Sequence, residues 1–343
     1  MPITETSIGD IDIAIGTSEF TRAELMLIAR VADDLGVGNV FLTEGTGRDP
    51  FSVLTEMALE TSRVGLGTGI VNVFSRTPTA LAQSTASVME LMGDRPFYLG
   101  LGTSGRQLMQ KYHGVAFDRP VSRLRETIEI IDTAFTTGSL PDGGDIFPLG
   151  HLPLGIEVPR GRLKILVAGL SPRTLEVTGK YADGWIPIWL SLGHGAELLR
   201  QVESAAAAAG RLRPFVAAYF YGGIGADPDL IGQLRATMAW YLAANGTAYR
   251  GLFERYGYVA EVKGVCDLWS SGDRPAARAS VPGHLLDDTT LYGPPVDFLR
   301  RAGAFIQLGV DRPVLRLLGR LGAARCVQML GELAAATKVT AHG

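Results

Sequence analysis

The amino-acid sequence predicts an α/β fold, a TIM (β/α)8 barrel with insertions, on three observations. Short β-branched apolar runs alternate with longer stretches of helical period, the pattern of parallel strands joined by crossover helices. Eight such runs can be counted, the number that a closed barrel needs. The turn after the first run, Ile15-Gly16-Thr17-Ser18-Glu19, lacks the Gly-x-Gly-x-x-Gly fingerprint of an open doubly wound sheet, the architecture that the same alternation would otherwise suit.

The first strand is expected at residues 11–15, and Thr21 caps a helix whose Leu25, Ile28, Ala29 and Ala32 recur at helical spacing. Strands follow at 39–43, 64–71 and 97–101, separated by helices at 50–61 and 78–92, each opened by a proline. After a helix at 122–135, the segment 137–162 is rich in Gly and Pro and reads as an excursion, a hairpin being one form it could take. Strands at 163–168, 184–188 and 214–222 then alternate with helices at 172–181, 194–209 and 227–244. A second excursion of short helices spans 247–286, and the chain closes with a helix at 295–308, a strand at 313–318 and a helix at 323–335. The whole of 1–343 is read as one domain carrying these two excursions.

With 343 residues, 46% of them hydrophobic, the chain can bury a large core. Its 32 basic and 35 acidic residues form no long run of either sign, which argues against a nucleic-acid or anionic-membrane partner. Cys266 and Cys326 show no metal-ligand or Cys-x-x-Cys spacing, so no metal site is expected and both read as thiols in a reducing compartment. The first residues carry acids and no basic, apolar export signal, and no apolar run reaches the roughly 18 residues of a membrane span. A cytoplasmic protein acting on a small molecule is the expectation, with a homodimer left open.

Chemistry is expected where glycine turns end strands: Gly67-Thr68-Gly69, then Gly100-Leu101-Gly102-Thr103-Ser104-Gly105, and Ala168-Gly169-Leu170-Ser171-Pro172. In a barrel all three lie on the C-terminal face, where active sites form. Glycine lets N–H groups approach an anion, hydroxyls add donors, and a helix start adds its positive dipole end, so together these turns suit a phosphate. Any one of them could equally be a glycine that ends a strand. Glu44, just past the second strand, suits an acid or polar anchor at the mouth, or a carboxylate that caps loop N–H groups. His113 beside Tyr112 reads as structural, while Trp185 and Trp189 suit either a pocket wall or the core. No serine-histidine-acid elbow, His-Glu-x-x-His or Gly-Lys-Ser/Thr motif is present.

These residues also carry a resemblance. Asp34-Leu35-Gly36, Glu44 with Arg48-Asp49-Pro50-Phe51, Leu66-Gly67-Thr68-Gly69-Ile70, Ser75-Arg76-Thr77-Pro78, Leu99-Gly100-Leu101-Gly102 and Ala182-Asp183-Gly184-Trp185 make the chain similar to the luciferase-like oxidoreductases. Within that family it most resembles the branch that uses coenzyme F-420, an 8-hydroxy-5-deazaflavin, rather than FMN. The likeness is good over residues 10–190 and weak beyond, apart from the final helix-strand-helix. It implies a non-proline cis peptide at Gly69-Ile70, with Thr68, Gly69, Ile70 and Asn72 lining the ring. It also implies phosphate contacts from Thr103, Ser104 and Gly105 and from Ala168, Gly169, Leu170 and Ser171.

Gly45 and Gly105 stand where the glucose-6-phosphate dehydrogenases of the branch carry a histidine and a glutamate, so sugar-phosphate oxidation does not carry over. The methylene-tetrahydromethanopterin reductases are relatives too, but no residue here marks a pterin site. The resemblance implies an F-420-dependent reductase or dehydrogenase with Glu44 as its catalytic candidate. Its rivals are an FMN-dependent monooxygenase and a flavin-binding barrel without turnover.

Overall fold

The computed structural model describes residues 6–340. Its first elements are β1 (Asp12–Gly16) and α1 (Arg22–Leu35), β2 (Asn39–Thr43) and α2 (Pro50–Glu60), β3 (Gly65–Asn72) and α3 (Pro78–Leu91). Next are β4 (Phe97–Gly102), the short α4 (Arg106–Lys111) and the long α5 (Pro120–Thr137). Beyond the first excursion lie β5 (Leu163–Val167), α6 (Pro172–Tyr181), β6 (Gly184–Trp185), α7 (Ala196–Ala208), β7 (Phe215–Ile224) and α8 (Pro228–Ala243). The second excursion is α9 (Ala248–Arg255), α10 (Val259–Ser270), α11 (Arg274–Ala279) and α12 (Gly283–Thr289). It is followed by β8 (Leu291–Gly293), α13 (Pro295–Leu308), β9 (Arg312–Arg316) and α14 (Gly322–Thr340).

Local chemistry sets the helix starts. Thr21 Oγ1 accepts from Glu24 N while Glu24 returns a bond to Thr21 N at 2.7 Å, a reciprocal cap. Asp49, Thr77, Ser171 and Asp227 cap α2, α3, α6 and α8 by accepting from a first-turn N–H, Ser171 reciprocally with Thr174, and each is followed by a proline whose missing N–H costs the first turn nothing.

All strand pairings are parallel, and the order β1-β2-β3-β4-β5-β6-β7-β9 returns to β1, closing an eight-stranded barrel as expected. β8 lies outside this ring, paired to the far end of β7. The expected sixth strand is cut to two residues because Pro187 has no N–H to give the ladder. Past it only a single bridge, Ile188 to Tyr219, continues the pairing. The first excursion is a small hairpin, with Gly143 and Leu149 exchanging backbone bonds of 2.8 and 3.2 Å.

Alternation along the strands divides the core. Ile13, Ile15, Val40 and Leu42 face outward onto Leu25, Ile28 and Ala29 of α1 and their neighbours. Ala14, Phe41, Tyr98, Leu166, Ile186, Ala217, Tyr219 and Val314 fill the barrel interior. At its lower end Asp12 is fully buried, accepting from Arg312 at 2.7 and 3.0 Å and from Asn39 at 2.9 Å. Burial pushes this carboxyl above its ordinary range despite the pull of Arg312 and Asn39. Among the described residues no helix is long and apolar enough to cross a membrane.

Candidate active site at the barrel mouth

The expected site residues all lie at the C-terminal ends of four neighbouring strands. Thr68, Gly69, Ile70 and Asn72 are on β3, Glu44 follows β2, Thr103, Ser104 and Gly105 follow β4, and Ala168 to Ser171 follow β5. Backbone bonds tie these ends together: Glu44 N donates to Ile70 O at 3.3 Å, Val73 N to Gly102 O at 3.0 Å and Ala168 N to Leu101 O at 2.9 Å.

β3 is irregular where the ring contact was expected. Its register against β4 shifts between Thr68 and Val71, and against β2 between Leu42 and Thr43, which form a bulge around Gly69 and Ile70. The cis peptide expected at Gly69-Ile70 is corrected: every peptide bond among the described residues is trans. The register shift accommodates the irregularity without the several kcal/mol that a non-proline cis bond costs. Close approach explains the glycines here. A Cβ on Gly100 would collide with the carbonyl oxygens of Thr68 and Gly69, and one on Gly69 would lie 2.6 Å from Thr43 Cγ2 and 3.2 Å from Tyr219 Oη. Thr68 Oγ1 locks the bulge by bonding both the N–H and the carbonyl of Gly100, at 2.9 and 3.0 Å.

Glu44 is committed to its neighbours. Its Oε2 accepts from the backbone N and Nδ2 of Asn72 at 2.9 and 2.8 Å, and Oε1 pairs with Arg76 at 2.5 Å. Asn72 Oδ1 in turn accepts from Phe74 N and Ser75 N. Arg76 also bonds Asp49 and lies over the Phe51 ring. Burial pulls the Arg76 guanidinium down, but the bonds and charges of Glu44 and Asp49 outweigh it and hold it above its ordinary value. This geometry matches the capping alternative for Glu44. Replacing Glu44 with Ala strands the Asn72 N–H and half of Arg76's pairing, so stability is expected to fall by about 2 kcal/mol. Urea unfolding checks this; an unchanged midpoint would mean that the carboxylate does not anchor the loop.

The turns after β4 and β5 present donors. Ser104 holds φ 55°, a left-handed conformation unusual for a side-chain-bearing residue, and Gly105 starts α4. Among the described residues the N–H groups of Ser104, Gly105, Gly169 and Leu170 meet no protein acceptor. Ser171 caps α6, and Trp185 Nε1 fixes the turn by donating to Gly169 O at 2.8 Å. Arg255 of α9 bonds Leu170 O at 2.7 Å, joining the second excursion to this turn.

Sequence reasoning missed the opposite side of the mouth. Arg316, at the end of β9, is buried and paired with Glu19 from the turn after β1. Tyr219 and Tyr221 alternate inward on β7. Tyr219 Oη is buried without a partner, and Tyr221 Oη meets Tyr241 Oη at 3.0 Å. Burial raises all three phenols above their ordinary value. The period-two spacing of Tyr219 and Tyr221 was a readable signal; the Glu19–Arg316 pair, 297 residues apart, was not. Trp189, buried and with φ 59°, stacks near Tyr221, while Trp185 serves the β5 turn; both are core. His113 lies against Tyr112 outside these interactions. No group of three or more metal-ligating side chains occurs among the described residues.

Comparison with known proteins follows the same lines. Residues 6–312 match the profile of a family described as luciferase-like monooxygenase. A Mycobacterium tuberculosis protein provisionally named a coenzyme F-420-dependent oxidoreductase is 28% identical over 319 residues, covering 80% of this chain and 84% of its own. The 5,10-methylenetetrahydromethanopterin reductase of Archaeoglobus fulgidus is 23% identical over 303 residues, covering 85% and 88%. Among solved structures, the coenzyme F-420-dependent tetrahydromethanopterin reductase from Methanopyrus kandleri superposes with a TM-score of 0.82, over 97% of this chain and all of that one. At 20% identity, that likeness carries the fold alone.

Proposed function

We propose, from the premise that this chain belongs to the luciferase-like monooxygenase family, that it is a coenzyme F-420-dependent oxidoreductase acting on a small organic substrate. The observation that carries this reading is the pair of donor turns after β4 and β5 beside the Gly69 bulge, in a chain similar over most of its length to a protein named for F-420. The residues fit the group: the N–H groups of Ser104, Gly105, Gly169 and Leu170 suit a phosphodiester, and Ser104 and Ser171 lie within those turns. The bulge at Gly69 and Ile70 would face the ring, with the unpartnered Tyr219 hydroxyl beside Gly69. Thr68, Ile70 and Asn72 shape that surface, and Thr103 and Ala168 flank the turns.

The deazaflavin supplies a two-electron hydride at C5, a carbon where FMN has nitrogen, and is therefore slow toward dioxygen. This chain's residues hold and orient the reactants and keep the mouth dry. Glu44 acts through Asn72 and Arg76, setting the top of the bulge rather than exchanging a proton from a free oxygen.

The test is anaerobic turnover of a panel of enones and imines with F-420 deuterated at C5, run beside NADPH and reduced FMN. Deuterium in the product, without need for dioxygen, is the expected result. Turnover only with reduced FMN and oxygen, with one oxygen atom entering the product, would replace this reading with the monooxygenase. Tight F-420 binding with no turnover across the panel would favour a barrel that binds without catalysis.

A further inference from the structure

A cavity of about 500 Å³ lies between the barrel mouth, α8 and helices α10 and α11 of the second excursion, a size typical of small-molecule sites. Its position follows from the topology. Glu19 follows β1, Tyr221 is on β7, and Leu318 to Arg320 follow β9. In the closed ring β1 and β9 stand opposite β5 and β4, so this cavity lies across the mouth from the donor turns.

Four aromatic side chains line it: Tyr221, Trp240, Tyr241 and Trp269. Trp240 is 45% exposed, and its ring meets that of Tyr241 edge-on at 5.2 Å. Such faces suit a flat, conjugated ligand. The charges in the lining are Glu19, Arg278 and Arg320. Glu19 is already neutralised by Arg316 and accepts from Gly319 N at 3.0 Å. Arg278 on α11 and Arg320 after β9 are exposed and have no ion-pair or hydrogen-bond partner among the described residues. The cavity therefore has two uncommitted guanidinium groups and no uncommitted acid.

We propose that this cavity binds the substrate and that the substrate is a flat, conjugated or aromatic molecule bearing an anionic group such as a carboxylate. Arg278 and Arg320 take the anion, a match that planar guanidinium groups make well, and the Trp and Tyr rings flank the conjugated body. The proposal rests on the reading that F-420 occupies the opposite side of the mouth. It deepens that reading by naming the class of the other reactant.

The test uses the full chain and two probes of one shape, 2-naphthoate and the neutral 2-naphthamide, followed by tryptophan fluorescence and calorimetry. Wild type is expected to bind the anion on the order of tenfold more tightly than the amide. The double variant Arg278→Gln with Arg320→Gln should abolish that preference, and Trp240→Ala with Trp269→Ala should weaken both probes. Saturating F-420 should leave naphthoate bound. Equal affinity for the two probes, an unchanged preference in the arginine variant, or competitive displacement of naphthoate by F-420 would each overturn the proposal. Titrating F-420 against the same proteins separates the two readings: failure of F-420 to bind wild type, with naphthoate preference intact, strikes the cofactor reading alone.

Discussion

Replacing Arg312 with Met is expected to lower the unfolding free energy by about 3–5 kcal/mol, the largest stability effect of any single substitution proposed here. Asp12 is fully buried at the lower end of the barrel, and Arg312 supplies two of its three hydrogen bonds. Its second oxygen, Oδ2, has no partner. Methionine keeps most of the side-chain length, so the loss is chiefly that of the charge and its bonds. Burial already raises the Asp12 carboxyl, and without Arg312 it rises further. The folded variant then holds a proton that the unfolded chain releases near its ordinary pKa of about 3.9. A raised folded-state pKa stabilises at low pH and loses that contribution as pH rises; wild type stops losing it at its own raised Asp12 value, so the deficit should grow between that value and the still higher one of the variant. Denaturant unfolding at pH 5 and pH 8 reads this directly. Adding Asp12→Asn should recover most of the loss and flatten the pH dependence; a deficit that is equal at both pH values, or unrelieved by Asp12→Asn, would show that the ion pair is not what holds this end of the barrel.

What could be read in the sequence was what local chemistry decides. Thr21 with Glu24, and prolines 50, 78, 172 and 295, mark helix starts because caps and missing N–H groups act within a few residues. Strand positions were legible for the same reason, since alternation and β-branching are local. β8 was not: three residues pairing only with the tail of β7 have no period to detect. α4, with six residues, is likewise too short to show one. The candidate site divides in the same way. Glycine turns at 67–69, 100–105 and 168–171 could be found by composition, and the structure brings them to one face. The commitment of Glu44 to Asn72 and Arg76 could not, because both partners lie about a strand and a helix away and compete with solvent for the carboxylate. The trans Gly69-Ile70 bond shows a further limit, since a register shift and a cis peptide both answer the same crowding and motif matching cannot choose between them.

Replacing Ser104 with Asp is expected to weaken F-420 binding at least about tenfold at low salt while leaving the barrel folded. Ser104 adopts φ 55°, a region that aspartate and asparagine tolerate better than most side chains, so the backbone need not move. The added carboxylate would stand beside the N–H groups of Ser104 and Gly105, which meet no protein acceptor. Two like charges about 5 Å apart repel by roughly 3 kcal/mol at an effective dielectric of about 20, and partial exposure at this turn discounts that value. Raising the salt concentration should shrink the difference, because screening acts on exposed charges. Ser104→Asn supplies the control: it has nearly the same shape and backbone preference without the charge, and should bind F-420 close to wild type. Fluorescence titration of F-420 against the three proteins, with circular dichroism confirming the fold, separates the cases. If Asp and Asn weaken binding equally, shape rather than charge governs the turn; if neither changes it, the phosphodiester binds elsewhere and the β4 turn is no part of the cradle.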